Sequence, residues 1–64
     1  MNRIKLKVII LEHEPQYRLA NALEINKGTL SMKLNDKLRF TQAEKEFINQ
    51  RYKLTAEEVK EIWG

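Results

Sequence analysis

"LANALEINKGTLSMKL", residues 19–34, holds two apolar-periodic runs divided by the short "EIN" at 24–26, and the fold turns on how these runs are read. In the first, Leu19, Ala20 and Leu23 stand at i, i+1 and i+4, an inward helical stripe in which Ala20 is small enough for another helix to approach closely. Asn26 then suits an N-cap, because its side-chain oxygen can accept a bond from an unpaired first-turn N–H, and it predicts a further helix from about Lys27 to Asn35. Within that helix only Leu30 and Leu34 form an apolar i, i+4 pair. Lys27, Gly28, Thr29, Ser31, Met32 and Lys33 supply little that a core demands, so a narrow buried edge and a broad exposed face are expected.

Upstream, Pro15 suits a first helical position and disfavours continuing a helix through it. A helix should therefore stop near His13 and the next begin at Pro15 or Gln16 and run to about Leu23. The segment before it, "RIKLKVIILEHE" at 3–14, is ambiguous: Arg3 to Val8 alternates as a strand does, whereas Ile4, Val8 and Leu11 fit i, i+4, i+7. Helix is the preferred reading because Ile10 and Leu11 break the alternation, with a short extended lead-in at 2–5 as a possible addition.

Downstream, "TQAE" at 41–44 and "TAEE" at 55–58 each place Thr at an N-cap and Glu at N3, the capping-box arrangement. Helices from about 42 to 52 and 56 to 63 follow. Their apolar positions are Ala43, Phe47 and Ile48 in one and Val59, Ile62 and Trp63 in the other, with Leu38, Phe40 and Leu54 expected to plug the core from the connections. The expected architecture is all-α, five short helices in one domain spanning 1–64, with no internal repeat or low-complexity segment.

A chain of 64 residues buries only about 60% of its unfolded surface, so its stability should be modest. It has no Cys and one His, which leaves no material for a zinc finger, a disulfide framework or a nucleophilic thiol and suits a reducing compartment. The longest apolar run, Val8 to Leu11, is far short of the roughly 20 residues that span a bilayer. No leader pattern opens the chain, so a cytoplasmic location is expected. Net charge is +3 and unevenly placed: residues 1–39 carry +4 and residues 40–64 carry −1. A polyanionic partner for the basic half and a merely uneven solvated surface are both compatible with that distribution.

Two short helices joined by about three residues, with Ala in the first, Ile25 in the turn and Leu30 anchoring the second, form the pattern of a helix-turn-helix. Small, polar and cationic residues on the outer side of the second helix are what insertion into a DNA major groove requires, since base edges are read by hydrogen bonds and methyl contacts. Residues 16–35, "QYRLANALEINKGTLSMKLN", resemble the helix-turn-helix of phage Cro and repressor proteins, the lambda-repressor-like or Xre-like family. Gln16 opens the first helix, Ala20 occupies the tight-packing site, Leu19, Leu23 and Ile25 fill the apolar sites, Leu30 is the inward anchor, and "LND" at 34–36 looks like the family's "LNG" exit. With the flanking helices the resemblance covers nearly the whole chain. The two capping boxes, and the lack of an Asn-Gly or Asp-Gly hairpin turn, make it more like the all-α branch.

The chain departs from that family at two positions. Glu24 stands where the family usually has Gly in the turn, and a side chain held at positive φ costs of order 1 kcal/mol. Gly28 stands where a base-reading side chain often projects; it would let the backbone approach DNA closely, at a helix cost of about 0.5 to 1 kcal/mol relative to Ala.

The resemblance implies a sequence-specific, double-stranded DNA-binding transcriptional regulator, a Cro-like repressor of phage or prophage type acting on the nucleoid of a bacterial host. Its recognition helix would be residues 27–35. Lys27, Gly28, Ser31 and Met32 would face bases with Thr29 nearby, Lys27 donating to guanine and Met32 or the Thr29 methyl packing on thymine. Gln16, Asn26, Lys33, Asn35 and Lys37 would contact the sugar-phosphate backbone. The operator would be pseudo-palindromic and bound by a homodimer, with Ile62 and Trp63 as candidate dimer contacts.

Plainer readings stand beside these. Lys33 and Lys37 could be ordinary solvated lysines, Met32 a core filler, and Trp63 could fold back on Val59 and Phe47. A helical protein-binding module or antirepressor with the same fold is the alternative function. No enzyme is expected: Ser31 has no His or acid nearby in sequence, and no phosphate loop or paired-carboxylate signature occurs. No cofactor, metal or small-molecule effector is expected either.

Overall fold

The computed structural model describes all 64 residues and contains five helices and no strand: α1 Arg3–His13, α2 Gln16–Ala22, α3 Lys27–Leu34, α4 Gln42–Arg51 and α5 Ala56–Trp63. Each start has a local cause. Asn2 accepts from Lys5 N–H, Asn26 accepts from Thr29 N–H, and Thr41 and Thr55 form complete capping boxes with Glu44 and Glu58. Pro15 precedes α2 in an extended conformation. Residues 2–5 have no extended lead-in, because the Asn2 cap starts the helix at Arg3.

Three helix ends share one device. After α2, Glu24 N–H bonds Asn21 O at 3.1 Å and Ile25 N–H bonds Ala20 O at 3.0 Å, with Glu24 at φ 59°. This is the Schellman arrangement, which satisfies the last carbonyls of a helix by turning the chain through a left-handed residue. Asp36 (φ 60°) repeats it after α3 and Lys53 (φ 51°) after α4. None of the three is glycine.

α1 packs against α2, α3 and α5, and α2 packs on α3. The core is Leu6, Ile9 and Ile10 from α1, Leu19 and Ala20 from α2, Leu30 and Leu34 from α3, Ile48 and Tyr52 at the end of α4, Ile62 from α5, and Phe40 from a connection. Leu23, Ile25, Leu54 and Trp63 pack around it. The N-terminus is tied in by Asn2 N–H donating to Ile62 O at 2.7 Å.

Several apolar residues lie where the sequence pattern does not put them. Ile4, Val8 and Leu11, whose spacing helped to signal α1, are 71%, 48% and 66% exposed, and the core is met by Leu6, Ile9 and Ile10 on the opposite side. α1 thus carries two apolar faces, and only one has a partner in the chain. Ala43 and Phe47 are exposed because α4 turns its Ile48 side inward, leaving Phe47 beside the Arg51 guanidinium at 6.0 Å. Leu38 does not plug the core. The left-handed turn at Asp36 carries it into a shallow surface groove with Met1, Phe40 and Trp63, while Phe40 is buried as expected.

Polar clasps complete the packing. The Arg51 guanidinium grips Glu14 with two bonds, at 2.7 and 2.8 Å, and the Tyr52 hydroxyl donates to the same carboxylate. Arg51 and Tyr52 together hold the Glu14 carboxyl down to about 2, and burial pushes the Tyr52 hydroxyl above its ordinary value. This node joins the end of α1 to the end of α4. Trp63 Nε1–H donates to Asn49 Oδ1 at 2.7 Å, and no buried side-chain polar atom lacks a partner.

Candidate nucleic-acid interface

α3 is anchored from beneath by Leu30 and Leu34, both fully buried, and started by the Asn26 side chain at 2.7 Å from Thr29 N. That anchoring fixes what the helix presents. Lys27, Gly28, Ser31 and Met32 are exposed and Thr29 is half-buried, so no part of the chain covers the outer side of α3. Lys27 makes no ion pair. A Cβ built on Gly28 would meet only Asn26 Oδ1, at 3.4 Å, an ordinary contact. Packing therefore does not require glycine there, and its effect is to leave a flat patch of backbone between Lys27 and Thr29.

The residues expected at the phosphate backbone divide. Lys37 is exposed and unpaired, Asn26 is exposed, and Gln16 is half-buried at the first position of α2. Lys33 is not available: it is buried, its ammonium sits 2.6 Å from Glu44 Oε1 and lies 5.8 Å from the centre of the Phe40 ring. Lying next to Leu34 on the helix, it follows the buried edge towards α4. Burial alone would raise the Glu44 carboxyl, but the Lys33 ammonium and the Thr41 backbone N–H hold it below the usual carboxylate range. Lys33 thus braces α3 on α4.

Asn35 is also engaged within the chain. Its amide donates to Ser31 O at 2.9 Å and its oxygen accepts from Lys7 Nζ at 2.7 Å, while Arg3 reaches the Asn35 carbonyl at 3.5 Å. Two α1 cations therefore stand at the C-terminal end of α3, where the helix dipole favours positive charge. Sequence reasoning missed both. The signal was present, since Arg3 and Lys7 are four apart and share one side of a helix, but the ambiguous alternation of residues 3–8 hid that side.

Neither expected dimer contact is free. Ile62 is completely buried, and Trp63 is half-buried, held by its bond to Asn49, by the edge of Phe40 at 5.4 Å and by Lys45 at 5.6 Å. Trp63 does fold back on its own chain, onto Phe40 and Asn49.

Within residues 1–39, internal ion pairs remove Lys5 (to Glu61), Lys33 (to Glu44) and Glu14 (to Arg51) from the surface balance. Arg3, Lys7, Arg18, Lys27, Lys37 and Arg39 are left against Glu12, Glu24 and Asp36. The basic excess of this half survives folding. No group of three or more His, Cys, Asp or Glu side chains converges to hold a metal ion, and no helix is long and apolar enough to cross a membrane. Comparison with protein-family models, curated proteins and solved structures finds no match to this chain.

Proposed function

We propose that the chain is a sequence-specific double-stranded DNA-binding regulator of the Cro-like repressor type, in which α2 and α3 act as a helix-turn-helix and α3 enters the major groove. The observation that carries this reading is the uncovered outer side of α3. Lys27, Ser31 and Met32 project from a helix whose opposite edge is locked down by Leu30 and Leu34, and Gly28 between them lets the backbone come close. Lys27 donates to a guanine edge, Ser31 to a neighbouring base, and Met32 packs on a thymine methyl. Lys37, Asn26 and Gln16 contact phosphates, and Arg3 and Lys7 extend the cationic rim beyond Asn35. Two copies on a pseudo-palindromic operator would set their α3 helices one helical turn apart.

Binding to a random-sequence duplex, followed as salt is raised, tests the reading at its base. Affinity should fall steeply, because each neutralised phosphate releases condensed counterions. A chain with no duplex affinity even at low salt would instead be a protein-binding module. On a cognate site selected from a random pool, Lys27→Ala should cost about 1 to 3 kcal/mol and relax preference at one base pair, whereas Lys37→Ala should weaken all sequences alike and flatten the salt slope. Equal effects of both substitutions on cognate and random duplexes would remove Lys27 from base reading.

A further inference from the structure

We infer that the outward face of α1 is a contact surface for a second copy of this chain. Ile4, Val8 and Leu11 follow one another at spacings of four and three, the repeat of a helix-pairing seam; Ile4 and Leu11 are largely bare and Val8 between them is about half exposed. The opposite face of the same helix is saturated by the core, so this stripe has no structural task within the monomer. Exposed large apolar residues scattered singly are ordinary, but three in line along one 11-residue helix form a contiguous strip.

The charges beside the strip fit a like partner. Glu12 flanks it on one side and has no ion pair in its own chain, and Lys7 flanks it on the other. Lys5 lies on the same edge as Glu12, one end towards the N-terminus of the helix and the other towards the C-terminus. Lys5 is already paired with Glu61, whereas Lys7 is bonded in its own chain only to the neutral Asn35 side chain, so a second α1 running parallel brings an uncompensated cation, its Lys7, to Glu12. One short helix face from each copy buries less than a standard protein interface, so the association is weak. The apolar strip lies on α1 alone and does not include the outer side of α3; Lys7 is the one residue common to both surfaces.

The absence of cysteine makes a direct test available. Val8, midway along the strip, faces its own counterpart whichever way the helices run, so Val8→Cys should form a disulfide-linked dimer rapidly on mild oxidation. Ala43→Cys, exposed on α4, should link only slowly. In sedimentation equilibrium from micromolar to millimolar chain, the unaltered protein should rise towards twice its monomer mass. The Ile4→Glu/Leu11→Glu double variant should remain a monomer, with unchanged helical circular dichroism, because both sites are solvent-facing. A monomer at every concentration, an undiminished dimer in the double variant, or equal cross-linking at both cysteines would overturn the inference.

Discussion

Glu24 holds a left-handed backbone between α2 and α3, at a position that favours glycine. Two Schellman bonds over-determine the turn, and they are made with backbone groups that any residue possesses, so the strain is carried by the motif rather than relieved by the side chain. Glu24→Gly should therefore raise stability to urea by about 0.5 to 1 kcal/mol, the removed strain outweighing the added freedom of the unfolded chain. An unchanged or lowered unfolding midpoint would show that the left-handed geometry costs nothing here. Lys33 illustrates the opposite limit of residue-level reading. Its identity suggests a solvated cation, but its place on the helix, one step from Leu34, delivers it to Glu44, and nothing local in the sequence announces that partner.

At the level of elements, the starts of α3, α4 and α5 were legible because their caps are local: Asn26, Thr41 and Thr55 each satisfy N–H groups within three residues of themselves. The ends of the helices were less marked, since no glycine stands at any of the three left-handed positions. The inward face of α1 was not legible. Apolar stripes run along two opposite sides of that helix, and periodicity alone does not tell which of them meets the core. On α4 the apolar positions include Ala43, Phe47 and Ile48 together, and only Ile48 meets the core, for the same reason. The outer side of α3 could be read because its residues differ so sharply from Leu30 and Leu34. α2 is docked through the buried Ala20, and enlarging that residue should push the helix outward. Ala20→Leu is expected to lower unfolding stability by about 1 to 3 kcal/mol, measured by chemical denaturation, and in the proposed reading to weaken duplex binding by displacing α2 from α3.

For the whole molecule, the Glu14 node sets the response to acid. The carboxyl is held at about 2 against 4.5 when unpaired, so the folded state favours its ionised form. The stability this contributes is complete above pH 4.5 and is lost progressively as pH falls towards 2. Glu44, also held below its ordinary value, acts in the same direction. Glu14→Gln should lower stability at neutral pH and flatten the acid limb of a stability profile between those values, as followed by urea unfolding at a series of pH. An acid limb as steep as in the unaltered protein would move the sensitivity to other groups. The node was invisible in the sequence: Glu14 and Arg51 lie 37 residues apart, and only the docking of α1 beside the end of α4 brings them together.

The backbone bond from Asn2 to Ile62 gives the molecule a seam that joins its outermost turns. Fraying cannot then begin at one end alone, since peeling away α5 withdraws the acceptor that steadies the entry to α1. Both ends should lose amide-exchange protection together, as a single opening event, while the middle of the chain stays closed.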